Sequence, residues 1–289
     1  MRILKISTLI LLGTILLFSC KKEEKIKPNV NNEIENLQLI KSFTESDYTI
    51  ELFNNSGQLR VGYNKIYLRL KDHEGDYIKQ SDITWLPMMH MNMGDMTHQH
   101  SCPFSDVKKV SGKETLFEGY IVFIMETDGP DHFWELSIQF TANGQTFEIN
   151  EEVNVISTTS EYSKVYTSGM GTDGKMYMMA LVEPTNPKIG QNDIVVGLFQ
   201  KGENDNFPIV NNYALKVDPR MPGMGNHSAP GNEDLIQGAD GFYHGKVGFS
   251  MSGYWKMNFI LLNENQEIIK GEEVTDENLE SSLNLKLEF

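Results

Sequence analysis

The feature that most constrains how this 289-residue chain can fold is a diverged internal duplication. GYNKI at 62–66 recurs as GQNDI at 190–194, HSCP at 100–103 as HSAP at 227–230, and FEGYIVFIM at 117–125 as YHGKVGFSM at 243–251. The offsets run 128, 127 and 126, and Trp134 answers Trp255. Drifts this small are loop insertions and deletions within one repeated unit. The first copy has five more residues between Met125 and Trp134 than the second has between Met251 and Trp255, which suits a longer hairpin.

The repeated unit reads as strand. Residues 120–125 and 246–251 are short apolar runs bounded by Gly, while WELSIQF at 134–140 and WKMNFIL at 255–261 alternate with period two. No amphipathic helix of ordinary length is visible. The predicted fold class is therefore all-β: two tandem immunoglobulin-like β-sandwiches of about 110 to 125 residues each. The first is expected over 46–158 and the second over 159–289, with the boundary in the Ser/Thr-rich stretch near 158–162. Trp134 and Trp255 are expected to fill the two cores. Met176, Met178 and Met179, in KMYMMALV, read as core of the second copy.

The chain starts with an export signature. Arg2 and Lys5 precede an apolar run at 9–18 that is too short to span a membrane, so 1–19 reads as a secretory signal peptide. LFSC at 17–20 resembles a bacterial lipobox, which implies that cleavage leaves Cys20 as a lipidated first residue. From Cys20 to residue 45 the polar sequence, with KKEEK, Pro28 and a run of Asn and Glu, reads as a flexible tether. KKEE at 21–24 resembles the charged signal that carries some bacterial lipoproteins to the outer face of the outer membrane. The expected location is the cell envelope, held to the outer membrane through the lipid on Cys20 and exposed at the surface.

Charge narrows the partners. Removing a leader that contains Arg2 and Lys5 but no acid takes the formal charge from −15 to −17, which disfavours nucleic acid and concentrates cations. With Cys20 assigned to lipid, Cys102 has no intramolecular partner. An unpaired thiol in an oxidising compartment is either buried or held by a metal.

Soft donors are concentrated in WLPMMHMNMGDMTHQHSCP at 85–103. The thirteen positions from Met88 to His100 hold five Met and three His, where 15 Met and 7 His in 289 residues would put about one. Thioether sulfur selects cuprous copper, and imidazole accepts either oxidation state. Met also fills core gaps and forms adaptable contact surfaces, so the cluster admits a packing reading as well. Its Pro87, Gly94, Asp95, Thr97, Gln99 and Ser101 make the stretch read as a loop. Each copy keeps a Met-x-x-Met followed by His: Met93, Met96 and His100 in the first, Met221, Met224 and His227 in the second. Each also keeps a Met before a turn leading to Trp, Met125 and Met251. The candidate metal ligands are thus His90, Met93, Met96, His98, His100, Cys102 and Met125 in the first copy, and Met221, Met224, His227 and Met251 in the second. His73 and His132 read as surface imidazoles, although His132 lies beside the expected metal pole.

A Met-rich, Pro-containing loop, a downstream His and the segment FYHGKVGFSMSGYW at 242–255 together resemble the YtkA-like and FixH-like families of exported β-sandwich domains. The first copy departs from the pattern, with Glu118 in place of His244 and an insertion around 128–133. The resemblance implies an immunoglobulin-like fold and a link to copper handling or haem–copper oxidase assembly; it implies no enzyme activity. No nucleophile elbow, phosphate loop, paired zinc motif or catalytic triad is present in the sequence. The leading expectation is a non-enzymatic lipoprotein that sequesters or delivers Cu(I), handing it to another envelope copper protein or oxidase assembly factor. The alternative is an envelope adhesion or assembly module that uses the Met-rich segment as a contact surface. A copper redox enzyme, using His90, His98 and His100, is the third.

Overall fold

The computed structural model describes residues 33–94, 96–157 and 160–289. The export signal and Cys20 lie outside the described residues. There is no α-helix among the described residues, and the fold is all-β. The described residues of the first half form eleven strands: β1 (Gln38–Glu45), β2 (Tyr48–Asn54), β3 (Leu59–Arg60), β4 (Gly62–Lys71), β5 (Ile83–Met93), β6 (Met96–His100), β7 (Lys108–Lys109), β8 (Phe117–Phe123), β9 (His132–Ala142), β10 (Gln145–Val153) and β11 (Val155–Ile156). Two sheets, ordered β1-β2-β4-β8-β7 and β10-β9-β5-β6, enclose one core, and β11 pairs parallel with β3 at the edge.

The second half has ten strands: β12 (Tyr166–Met170), β13 (Met176–Glu183), β14 (Gly190–Gln200), β15 (Ala214–Met221), β16 (His227–Ser228), β17 (Glu233–Gln237), β18 (Tyr243–Phe249), β19 (Tyr254–Leu262), β20 (Ile268–Lys270) and β21 (Asn284–Glu288). The pairing order recurs. β12-β13-β14-β18-β17 repeats the first sheet, and β19-β15-β16 repeats β9-β5-β6. The difference is that β17 also pairs with β15, joining the two layers of the second half into a continuous ladder.

Period-two alternation places the cores. Along β9, Trp134, Leu136, Ile138 and Phe140 are buried while the residues between them are more accessible; along β19, Trp255, Met257, Phe259 and Leu261 face the core, but Asn258 and Ile260 between them are buried as well, so the strand is covered on both faces beyond Lys256. Both Trp residues are fully buried. At such sites a Trp→Ala change typically costs about 3–5 kcal/mol.

One recurrent motif has a clear local cause. Gly62 (φ +99°) and Gly190 (φ +104°) both sit in the left-handed region that favours glycine. Two residues on, Asn64 donates from Nδ2 to the Arg60 and Gly62 carbonyls (2.7 and 2.8 Å) and accepts the Arg60 N–H at Oδ1 (3.0 Å). Asn192 makes the same three bonds to Lys188 and Gly190. A buried Asn amide thus satisfies the backbone that turns into β4 and into β14. Gly62 has a second reason to lack a side chain, because a Cβ there would lie 2.7 Å from Val165 Cγ2.

The halves are joined by a third apolar cluster that the sequence reading did not anticipate. Val122, flanked by Tyr63 and Tyr120, packs from the outer face of the β4–β8 pair onto Met178, Ala180, Val195, Phe199 and Phe242. Tyr63 meets Phe242 edge-on at 5.8 Å, and Tyr120 approaches Phe199 and Phe242 at 6.2 and 5.4 Å. Met179 faces the second core while Met178 faces this seam, so the core role expected of the KMYMMALV methionines divides between two clusters.

The tether expected to reach residue 45 ends earlier. β1 occupies 38–45 as an edge strand paired with β2, and Glu33 is already fixed to the first half. Its carboxylate accepts the Thr115 hydroxyl and N–H (2.5 and 3.0 Å) and the Glu114 N–H (2.5 Å), with the buried Arg69 guanidinium 3.8 Å away. Burial pushes the Glu33 pKa up, but these hydrogen bonds and Arg69 together outweigh it and leave the group below its ordinary 4.5. Because the folded value is depressed, the stabilisation is complete above the unfolded value and is lost as pH falls through the folded one. Glu33→Gln should therefore cost about 2–4 kcal/mol near neutral pH. In denaturant titrations, the gap between wild type and variant should close as pH falls below 4.5. A gap that does not change with pH would show that the charge on Glu33 does not contribute.

Candidate metal centre

The segment at 85–103, expected to be a loop, is mostly a hairpin. β5 runs unbroken through Met93 and returns as β6 from Met96, with Gly94 in the turn at φ +66°. The polar residues that argued for a loop are accommodated because the hairpin extends beyond the sandwich core, so its far end needs no apolar alternation.

Register decides which donors share a face. Opposed residues project to the same side of a sheet with Cβ atoms about 4.5–5.5 Å apart. Met89 opposes His100, Met91 opposes His98, and Met93 opposes Met96. On the other side of β5, Trp134 opposes Met89 and His132 opposes Met91. All of these lie on the face that carries the buried Trp85 and Met89 towards the core. The result is a three-rung ladder: Trp134, Met89 and His100 at the base; His132, Met91 and His98 in the middle; Met93 and Met96 at the tip. Exposure rises along it, from 1% at Met89 through the half-buried Met91 to 51% and 61% at Met93 and Met96.

Met91 and His132 were not among the expected ligands. Met91 was open to detection from its period-two spacing between Met89 and Met93. His132, read from the sequence as a surface imidazole beside the expected metal pole, is brought onto the face itself by the long-range pairing of β9 with β5.

The base is rigid. His100 meets Trp134 edge-on at 5.9 Å, and its Nδ1 lies 3.0 Å from the Ser101 carbonyl. The Trp134 indole N–H donates to the Met125 carbonyl at 2.9 Å, which fixes the backbone of Met125 beside the ladder with its side chain partly exposed. The turn that follows carries Glu126, Asp128 and Asp131 and packs on β5 through a 2.8 Å bond from Asn92 N–H to the Asp131 carbonyl. This supplies negative charge near the donors.

Two expected ligands are displaced. His90 lies on the opposite face of β5, stacked on Phe133 at 4.8 Å with its Nδ1 2.9 Å from Gln99 Nε2 and its Nε2 3.6 Å from Glu135. It cannot join His98 and His100 around one ion without rebuilding the strand. Cys102 is fully buried in the first core, and burial raises its thiol well above the ordinary range. Of the two fates open to this unpaired cysteine, the structure shows the buried one.

The second half keeps only the base of the ladder. Met221 opposes His227, and one step beyond the Arg220–Lys256 pair the β15–β19 ladder places Met221 level with Trp255. The counterpart of Met221 is thus Met89, not Met93 as the Met-x-x-Met spacing suggested. Like Met89, it is buried in the core. Trp255 donates to the Met251 carbonyl at 3.0 Å, as Trp134 does to Met125. A 3-10 turn, Pro222–Met224, then closes the hairpin where the first half has two more rungs, leaving Met224 and His227 exposed. Among the described residues no three His, Cys, Asp or Glu side chains converge.

The burial of Cys102 has a direct readout. In a chain carrying Cys20→Ala, the remaining thiol should resist a disulfide-exchange reagent at mildly alkaline pH and titrate as one equivalent once denatured. Rapid reaction of the native chain would place Cys102 at an accessible site.

No curated protein matches the sequence. Similar solved structures include the Escherichia coli adhesin FdeC, at 12% identity over 84% of this chain and 73% of that one, TM-score 0.24. They also include dimeric latent PorU from Porphyromonas gingivalis, at 10% identity over 88% of this chain, TM-score 0.25; the match spans 24% of the PorU chain. Residues 173–259, which run from β13 through the short hairpin into β19, match the family described as YtkA-like.

Proposed function

We propose that this protein is a non-enzymatic copper-binding protein of the cell envelope, which captures Cu(I) on the overhanging inner face of the β5–β6 hairpin and holds it for storage or transfer. One observation carries this reading: strand register puts Met91, Met93, Met96, His98 and His132 on one accessible face, with His100 and Met125 at its base. Two or three thioethers beside imidazoles suit a cuprous ion and are poor partners for zinc. A cargo site must also release its ion. The graded exposure of the ladder suits that, since Met93 and Met96 are reachable by a partner while His100 and Trp134 are held in place. In the second half, Met224, His227 and Met251 offer a smaller set without the middle rung.

The anchor is Cys20 in the outer membrane, and the recipient is another envelope copper protein or an oxidase assembly factor. The matched pairings of the halves are read as a tandem duplication in which the first copy lengthened its hairpin. A contact surface for a protein partner is the competing reading, favoured by the exposure of Met93 and Met96. Such a surface has no use for imidazoles in register with Met91.

The test is anaerobic titration of the purified chain with Cu(I) against a chromogenic chelator. Met91→Leu with Met93→Leu and Met96→Leu conserves volume, so the fold should survive. Cu(I) affinity should drop at least tenfold, and His98→Ala with His132→Ala should do the same. His90→Gln should leave it unchanged. Equal affinity in all of these chains, or Zn(II) uptake equal to Cu(I), would remove copper from the hairpin.

A further inference from the structure

A second row of like side chains crosses the outer face of the second half. Arg220 on β15 opposes Lys256 on β19, Lys256 opposes Lys286 on β21, and Lys286 opposes Lys164 in an isolated bridge. The last pair exchanges two backbone hydrogen bonds, Lys164 N–H to the Lys286 carbonyl (3.0 Å) and Lys286 N–H to the Lys164 carbonyl (2.9 Å). Four cations therefore stand side by side, three on β15, β19 and β21 and Lys164 in the bridge beyond them, at the usual spacing of about 4.8 Å.

Like charges directly opposed across strands destabilise a sheet. The cost is unusual in a chain whose acids outnumber its Lys and Arg by 40 to 25. Two of the cations are neutralised: Arg220 forks onto Asp218 at 2.8 Å, and Lys256 pairs with Glu280. The other two are not. Among the described residues no carboxylate lies within ion-pairing distance of the Lys164 or Lys286 nitrogen. Lys286 only overlies the Tyr254 ring, at 5.9 Å. The nearby Glu288 carboxylate accepts the Ser160 hydroxyl at 2.7 Å. The lysines are partly covered rather than spread into water, Lys256 being 14% exposed. Burial, then Lys286, Lys256 and Lys270, pull Lys164 below its ordinary value; burial and then Lys286 do the same to Lys256.

We propose that Lys164 and Lys286 form a binding site for a phosphate group, either free or on a lipid headgroup. Two uncompensated ammonium groups in register match the charge of a phosphate monoester, about −1.5 to −2 at neutral pH, and lysine binds phosphate as a point charge. The site is independent of the copper reading, sharing no residue with either hairpin.

The experiment uses the full chain with Cys20→Ala, so that no acyl chain contributes. Thermal melts are compared in inorganic phosphate and in chloride of equal ionic strength, for this chain and for the same chain carrying Lys164→Met and Lys286→Met. Phosphate should raise the midpoint of the parent by about 2–4 °C. The double variant should melt at or above the phosphate-free parent, because the like-charge opposition is gone, and should show no phosphate-specific shift. Lys286→Gln alone should show a reduced shift and serves if the double variant does not fold. Co-sedimentation with phosphatidic acid vesicles but not phosphatidylcholine vesicles, lost on the same substitutions, assigns the phosphate to a lipid headgroup; a phosphate shift without sedimentation assigns it to the free ion. No phosphate-specific shift in the parent, or an equal shift in the substituted chain, overturns the site.

Discussion

The antiparallel register of β9, β5 and β6 is the constraint on which the rest of the first half depends. It sets Trp134 opposite Met89 and so closes the core; it also sets His132 opposite Met91 and His98 and so builds the donor face beyond the core. Slipping β6 by one residue would turn His98, His100 and Met96 to the side of His90 and Phe133. The packing of the indole therefore fixes the geometry of the candidate metal face. Both ends of one strand face serve different purposes, and the change occurs between Met89, which is sealed, and Met93, which is open.

The two halves show how such a face arises. Both keep a buried Met (Met89 on β5, Met221 on β15), the His opposite it, the buried Trp beside it, and an indole N–H donated to the carbonyl of a partly exposed Met. The shared base is accounted for by packing alone. What differs is length: ten residues separate Met89 from His100, and five separate Met221 from His227. All the donors of the middle rung and tip lie within that added length or on the extended start of β9. Function that goes beyond scaffolding is therefore sought in the extension, while the family match falls on the half without it.

Much of this was legible in the sequence because it is local. Strand alternation at 134–140 and 255–261, the GxN turns at 62–64 and 190–192 and the repeated HSxP all have causes within a few residues, and the all-β fold follows from them. Pairing across the chain was not legible. The Met-x-x-Met spacing matched Met93 to Met221, whereas the ladder matches Met89 to Met221, since hairpins of different length can carry the same local spacing at a different register. His90 and His98 looked equivalent in composition but fall on opposite faces, and His132 came to the site through β9 from outside the Met-rich segment. The polar content of 92–99 reads as loop because alternation reports burial, and a strand that extends past its core has nothing to bury against.

That extension also bears on how a site of this kind would work. A two-stranded ribbon without a covering layer is only marginally stable in water, and among the described residues the tip rung pairs Met93 with Met96. Apolar β-branched residues there would stiffen the ribbon but leave a sticky edge. Met and His avoid both extremes, since thioethers are flexible and imidazoles tolerate water. On the copper reading, an ion bound across β9, β5 and β6 would cross-link three strands at the point where protein contacts run out, so metal binding and ordering of the tip would be one equilibrium. Affinity is then reduced by the cost of ordering the tip, and release is eased by its fraying. That balance belongs to a carrier, and the short, Pro-stiffened turn of the second half, Pro222–Met224, does not provide it.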